Sequence, residues 1–395
     1  MKSEEFATAI PFGRPLYVML KPVGSRCNLA CSYCYYRDKG NALLSEELLE
    51  EFIRQYIEAQ TMPQVLFTWH GGEPLLRPIS FYKKALELQH RYGHGLQIDN
   101  CIQTNGTLLT DEWCRFLHDN NFLVGISIDG PQELHDSYRL THGGKPSWHE
   151  VMRGISLLQK HDVQWNAMAT VNAANADHPV EFYHFFRNIG CEFLQFTPVV
   201  TSPTPLQKEG VLGMLPSPLH LEGVEGTQWG RFLCAVYDEW VHRDVGSLFV
   251  QIFEATLANW MGEPPGLCSM APTCGHAAVM EADGTVYSCD HFVFPNYRLG
   301  NIRQQTITEM LYGERQRHFG LQKRDALPRQ CRECPFLSVC HGECPKNRIN
   351  RDRYGNPGLN YLCEGYLQFF THVAADMDYM ATELRAGRAL TPKKR

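Results

Sequence analysis

The sequence predicts an α/β fold, a partial (β/α)6 TIM-like barrel followed by a small cysteine-rich domain. Three observations predict it. Short apolar, β-rich runs alternate with longer amphipathic stretches over the first two thirds of the chain, which implies parallel strands joined by right-handed crossovers. Prolines and glycines then crowd residues 198–227 into an irregular connection. Beyond Pro264 the composition shifts to cysteine, short hairpin and turn.

The expected strands are Leu16–Leu20, Val65–Trp69, Gln97–Gln103, Leu123–Ile128, Trp165–Val171 and Glu192–Thr197. Between them Glu46–Ala59, Phe81–Tyr92, Asp111–Asn120, Trp148–His161 and Pro179–Ile189 place apolar residues at three- and four-residue steps, as amphipathic helices do. Thr110 or Asp111 suits the N-cap of the third. Two further helices, Gln228–Arg243 and Phe249–Met261, form a bridge. The expected division is therefore 1–227 for the barrel, 228–262 for the bridging helices, 263–370 for the cysteine-rich domain and 371–395 for a C-terminal helix and basic tail. There is no internal repeat of solenoid period and no low-complexity tract.

Composition narrows the function. Of 395 residues 44% are apolar, enough for a sizeable core, and the net charge is −6. With a pI near 6.3, this argues against a general nucleic-acid or membrane-surface binder. Lys393, Lys394 and Arg395 read as a solvated terminus. Residues 1–20 lack the pattern of a signal peptide and no uninterrupted apolar run is long enough to span a membrane, so a cytoplasmic location is expected. Thiols stay reduced there, and an odd count of 15 cysteines fits disulfides poorly. Cysteine usage this heavy points to metal.

Cys27, Cys31 and Cys34 are spaced C-x3-C-x2-C and followed by two tyrosines. Three thiolates are one too few to close a structural zinc site, whereas a 4Fe–4S cube can be held by three and leave one iron open. In the C-terminal third, Cys274, Gly284 and Cys289 follow C-x9-G-x4-C, and Cys331, Cys334, Cys340 and Cys344 follow C-x2-C-x5-C-x3-C, with Cys363 beyond them. With Cys268 these make eight thiols, enough for two closed 4Fe–4S clusters or for one or two zinc sites. Glu281–Cys289 reads as a hairpin turning at Asp283-Gly284. Cys101, Cys114, Cys191 and Cys234 fall in strand or helix patterns and read as core. Gly71-Gly72-Glu73-Pro74 follows the second strand, Gln103-Thr104-Asn105-Gly106 the third and Ser127-Ile128-Asp129-Gly130 the fourth. These are ligand-reading positions in barrels, although each could serve as a plain turn.

The triplet resembles the signature of the radical S-adenosylmethionine (SAM) superfamily, and the eight downstream cysteines resemble its SPASM extension. The glycine–glutamate block, Gln103-Thr104-Asn105-Gly106-Thr107-Leu108 and Ser127-Ile128-Asp129-Gly130-Pro131 with His135 and Arg139 look like anaerobic sulfatase-maturating enzymes. So do Phe193-Leu194-Gln195-Phe196, Tyr287-Ser288-Cys289-Asp290, Leu299-Gly300-Asn301-Ile302 and Asn360-Tyr361-Leu362-Cys363.

This resemblance implies three 4Fe–4S clusters and SAM as cofactors. One cluster would sit on Cys27, Cys31 and Cys34, an inner auxiliary one on Cys268, Cys274, Cys289 and Cys344, and an outer one on Cys331, Cys334, Cys340 and Cys363. Tyr33, Gly72, Ser127, Arg139 and Leu194 would line the SAM pocket, with Glu73 meeting the SAM ammonium and Arg139 a carboxylate. His70 stands where some family members have glutamine. The implied activity is oxidation of a Cys or Ser of a type I sulfatase to Cα-formylglycine, begun by a 5′-deoxyadenosyl radical that takes a hydrogen atom from Cβ. The sulfatase polypeptide is the implied partner, with a low-potential donor such as flavodoxin or ferredoxin. Asp290, directly after Cys289, is the candidate base, its plain alternative being a hairpin cap. A thioether- or carbon-cross-linking enzyme of ribosomal peptides is the alternative activity. Such enzymes often carry an N-terminal peptide-binding domain, and about 15 residues precede the first strand here. An electron-transfer or zinc-structured adaptor is the non-enzymatic alternative.

Overall fold

The computed structural model describes residues 16–37, 39–200 and 222–393. Six strands pair in parallel and in chain order: β1 (Tyr17–Leu20), β2 (Gln64–Trp69), β3 (Gln97–Thr104), β4 (Phe122–Ser127), β5 (Trp165–Val171) and β6 (Phe193–Pro198). Helices Glu46–Glu58, Ile79–Tyr92, Asp111–Asp119, Trp148–Lys160 and Pro179–Asn188 alternate with them. Each begins where local chemistry allows. Ser45 accepts the Leu48 N–H and Thr110 accepts the Trp113 N–H at 3.2 Å, relieving first-turn donors, while Pro179 opens its helix where no N–H is needed. A short helix over Gln132–Asp136 carries too few turns to show a period in the sequence.

The barrel is open. Instead of pairing with each other, β1 pairs with β8 (Ala277–Met280) and β6 with β7 (Phe249–Val250), both in parallel. β9 (Thr285–Tyr287) and β10 (Arg298–Asn301) then extend the β8 edge antiparallel. The sheet thus runs on past residue 262 into the cysteine-rich segment. The hairpin expected at Asp283-Gly284 lies between β8 and β9, with Gly284 at φ 85°, where only glycine sits without strain. One expectation is corrected. Phe249 belongs to a strand, and the helix starts at Gln251, because the Phe249 ring stacks on Phe193 and its N–H bonds to Glu192. Local periodicity cannot register that tertiary pairing.

The bridging helices Gly226–Arg243 and Gln251–Met261 pack between barrel and C-terminus. Phe232 meets Phe182 and Phe196 of the barrel, while Tyr237 and Phe253 meet Phe369 of the helix Cys363–Arg385. A Cβ on Gly365 would lie 2.1 Å from the Gly226 carbonyl, so glycine sets how closely these two helices approach. Most of the expected irregular connection, residues 201–221, and Lys394 and Arg395 of the tail lie outside the described residues. Among the described residues no helix is long and apolar enough to cross a membrane.

Candidate active site

Cys27, Cys31 and Cys34 lie on the loop that leaves β1. The turn after β2 clamps this loop from one side: the Gly72 N–H bonds to the Gly24 carbonyl at 2.8 Å and the Glu73 N–H to the Arg26 carbonyl at 2.8 Å. A Cβ on Gly72 would stand 1.9 Å from that Arg26 oxygen, so the close approach allowed by the glycine is to the cysteine loop itself. From the other side, the Ala30 and Ser32 N–H groups bond to the Leu140 and Tyr138 carbonyls. Asn105 donates to Cys27 Sγ at 3.7 Å and to Asn28 Oδ1 at 2.9 Å. Glu73 is fully buried, and its carboxylate accepts Thr104 Oγ1 at 2.7 Å, the Asn105 N–H at 2.8 Å and the Leu75 N–H at 2.9 Å. Burial pushes its pKa up to about 7 against the pull of those donors.

Asp129, fully buried after β4, is the hub of a second cluster. It accepts Arg139 Nε at 2.9 Å, the Thr170 N–H at 2.8 Å and the Tyr33 hydroxyl. Sequence reasoning gave Arg139 a ligand carboxylate; in the fold Arg139 is already paired with Asp129, which that reasoning did not single out. His135 is neutral and fixed in tautomer. Ser147 Oγ donates to the Arg139 carbonyl at 2.6 Å, so it accepts from His135 Nε2 at 3.0 Å, and His135 Nδ1 accepts the Asp129 N–H at 3.2 Å. Burial lowers the His135 pKa to about 4. Ser127 accepts Gln103 Nε2 at 3.0 Å, and Leu194 lies buried on β6.

Asp290 lies just past β9, where one carboxylate oxygen faces Lys21 and the other accepts the Tyr35 hydroxyl. Lys21 follows β1 directly, is fully buried and packs 3.7 Å from the centroid of the Tyr36 ring, whose hydroxyl donates to Glu281. Burial works to raise the Asp290 pKa, but Lys21, His70 and His291 together outweigh it and hold the carboxyl well below the usual range. His70 and His291 are close enough to feel the same charges, and burial lowers their pKa values to about 4 and about 3. His70 Nδ1 accepts the Gly71 N–H at 2.7 Å. Tyr35 directly follows Cys34 and Asp290 directly follows Cys289, so the bond between them brings the N-terminal triplet's loop to the C-terminal thiols.

The eight downstream cysteines gather in two groups. Cys268, Cys274, Cys289 and Cys344 lie close enough for thiolate charge on one to raise the pKa of another, and Cys331, Cys334, Cys340 and Cys363 do the same. Burial is the larger cause where these thiols shift, pushing Cys27 and Cys363 up to about 12 and Cys274 to about 11. Such thiols need a bound cation to ionise, and thiolate donors suit iron–sulfur clusters, so the donor sets fit the group. Cys114, Cys191 and Cys234 are buried as expected of core residues, and Cys101 contacts Thr68 Oγ1 at 3.1 Å. Besides Asp129, sequence reasoning passed over Lys21 and Tyr35; their one visible signal is position, at the end of β1 and beside Cys34.

Comparison with known proteins identifies this arrangement. The family model for the radical SAM superfamily matches residues 22–186, and that for SPASM, an iron–sulfur cluster-binding domain, matches residues 272–335. The chain is a radical SAM enzyme with a cluster-binding extension. It is 59% identical, over 97% of its length and 95% of the relative's, to the serine-type anaerobic sulfatase-maturating enzyme of Bacteroides thetaiotaomicron. To the cysteine-type enzyme of Clostridium perfringens (strain 13 / Type A) it is 30% identical, over 94% of this chain and 100% of that one. The solved structure of native anSMEcpe with bound AdoMet and Cp18Cys peptide superposes with a TM-score of 0.84 at 30% identity, covering 94% of this chain and 100% of that one. The chain belongs to the anaerobic sulfatase-maturating enzymes. The peptide-cross-linking alternative is not favoured.

Proposed function

We propose that the enzyme oxidises a serine of a sulfatase polypeptide to Cα-formylglycine, with SAM and three 4Fe–4S clusters as cofactors. What carries this is the likeness to a sulfatase-maturating relative over 97% of the chain, together with the Tyr35–Asp290 bond that joins the residues directly after Cys34 and Cys289. Serine is favoured over cysteine by the 59% identity to a serine-type relative against 30% to a cysteine-type one.

Cys27, Cys31 and Cys34 hold the SAM-binding cluster, Cys268, Cys274, Cys289 and Cys344 the inner auxiliary one, and Cys331, Cys334, Cys340 and Cys363 the outer one. When bound, SAM and its cluster supply a 5′-deoxyadenosyl radical that abstracts hydrogen from the target Cβ. Tyr33, Gly72, Ser127, Arg139 and Leu194 line the SAM pocket. Arg139 enters it already oriented by Asp129, whereas Glu73, expected at the SAM ammonium, has its buried carboxylate on Thr104, Asn105 and Leu75, where it joins the ends of β2 and β3. Asp290 takes the proton of the target hydroxyl. Loss of a hydrogen atom, a proton and an electron converts the CH2OH of serine to CHO with its oxygen retained. Clusters held on the two auxiliary thiol sets would accept that electron, and a low-potential protein such as flavodoxin or ferredoxin would supply the priming electron.

The test is anaerobic incubation with SAM, a reductant and paired peptides that differ only in Ser or Cys at the target. The serine peptide is expected to lose the mass of two hydrogens. Conversion of the cysteine peptide alone overturns the serine assignment.

A further inference from the structure

The C-x3-C stretch between Cys340 and Cys344 has an unusual backbone. His341, Gly342 and Glu343 follow one another at φ 49°, 70° and 52°, and two of the three carry side chains that disfavour this left-handed region. One buried side chain holds all three. Arg348, 4% exposed, donates from Nε to the Gly342 carbonyl at 3.0 Å, and from Nη2 to those of His341 at 2.9 Å and Glu343 at 3.3 Å. Nη1 reaches the Lys323 carbonyl at 2.6 Å. A Cβ on Gly342 would stand 2.7 Å from Nη2, so the guanidinium fills the concave side of the loop.

All four of these bonds go to neutral carbonyls. The carboxylate of Glu343 turns instead to Asn360 at 2.8 Å and Asn347 at 3.3 Å. A buried cation needs anionic compensation, and thiolate-ligated clusters are anions. Lys323 makes a useful contrast. It is fully buried, and its Nζ donates to the Cys268 and Ser269 carbonyls at 2.8 and 2.7 Å, at the inner set. Arg348 braces the bridge that runs from Cys340 of one set to Cys344 of the other. Its bonds to all three carbonyls between Cys340 and Cys344 place its charge at the junction of the two sets.

We propose that Arg348 is a positioning residue for both auxiliary clusters: it locks the Cys340–Cys344 bridge in its left-handed form and serves as the counter-cation shared by the two thiol sets. This rests on the assignment of those eight cysteines as cluster ligands. A nearby cation favours the more negative, reduced cluster, so its removal lowers the reduction potential.

The experiment is a redox titration of the anaerobically reconstituted full chain, followed by electron paramagnetic resonance, with iron analysis alongside. Arg348→Gln is expected to shift both auxiliary couples about tenfold in the reduced-to-oxidised ratio, about 59 mV downward for a one-electron couple, and to leave the couple on Cys27, Cys31 and Cys34 in place. Lys323→Gln is expected to shift only the inner couple, and Arg348→Lys to restore both. Full iron with unmoved potentials in Arg348→Gln overturns the proposal, as does a shift of one auxiliary couple alone. If Arg348→Gln loses iron, loss from both sets supports the bridging role and loss from one set overturns it. Arg348→Lys then decides the charge: wild-type potentials support the counter-cation, and displaced ones overturn it. Wild-type protein carrying zinc, or iron for the triplet alone, would instead refute the ligand assignment.

Discussion

Asp129, fully buried just past β4, and Asp290, 13% exposed three residues past β9, each meet a cation and a tyrosine hydroxyl. The two tyrosines, Tyr33 and Tyr35, flank Cys34 and reach in different directions, one to each carboxylate. The sites differ in what fixes them. Asp129 takes a backbone N–H from Thr170, and its own N–H is held by a neutral histidine that Ser147 orients in turn. Asp290 is gripped by the side chains of Lys21 and Tyr35 from the far end of the chain. A carboxylate locked by backbone is an anchor. One held by side chains can exchange a partner for a substrate proton. The comparison suits the first site to orientation; the proton transfer proposed for the second requires Lys21 to release Asp290, because a carboxylate held this low is a weak base.

Asp290→Asn gives the largest expected effect. Formylglycine yield should fall by roughly 10²–10⁴-fold, the usual worth of a positioned base, while iron content and SAM cleavage persist. Normal conversion of a substrate peptide by this variant, read by mass, would sink the assignment. Asp129→Asn should do the reverse. It strands the Arg139 charge, costing roughly 3–5 kcal/mol, and lowers SAM cleavage together with product. An unchanged denaturant midpoint and normal 5′-deoxyadenosine release would show that Asp129 anchors nothing. Lys21→Met should be milder, about 1–3 kcal/mol, because Tyr35 still holds Asp290. Product should fall more than SAM cleavage does, and an equal fall in both would erase the contrast between the sites.

A pH slope tests the Asp129 site by itself. The pKa of His135, about 4 in the fold against 6.5 for a free histidine, means that the unfolded chain binds more protons between those values. Stability is therefore complete above about pH 6.5 and is lost as pH falls toward 4, by on the order of 3 kcal/mol in all. His135→Gln should flatten that limb of the stability–pH curve. An unchanged slope would move the titration to another group.

Much of this was legible in the residues. The six barrel strands stand within two residues of their expected ends because each is a β-rich run bounded by glycine, proline or a capping residue. Thr110 announced its helix for the same reason. β7 and the placement of β8 beside β1 were not legible, since a two-residue strand carries no period and parallel partners lie far apart in the chain. Asp129 was quoted within a strand-end block, yet nothing local marked it as the partner of Arg139. Lys21 was passed over because a lysine after a short strand ordinarily faces water.

The sequence by itself determined the chemistry available: the thiol spacings, the glycines that admit close backbone approach, and the strand-end blocks that mark a barrel's reactive face. Covalent neighbours and short periods encode these directly. Only the tertiary structure decided which charges meet. It carried Lys21 to Asp290 across about two thirds of the chain and joined Tyr35, beside Cys34, to Asp290, beside Cys289. It also braced the Cys340–Cys344 bridge on Arg348. Partner choice among buried charges follows from what burial leaves within reach, and burial is a property of the whole fold.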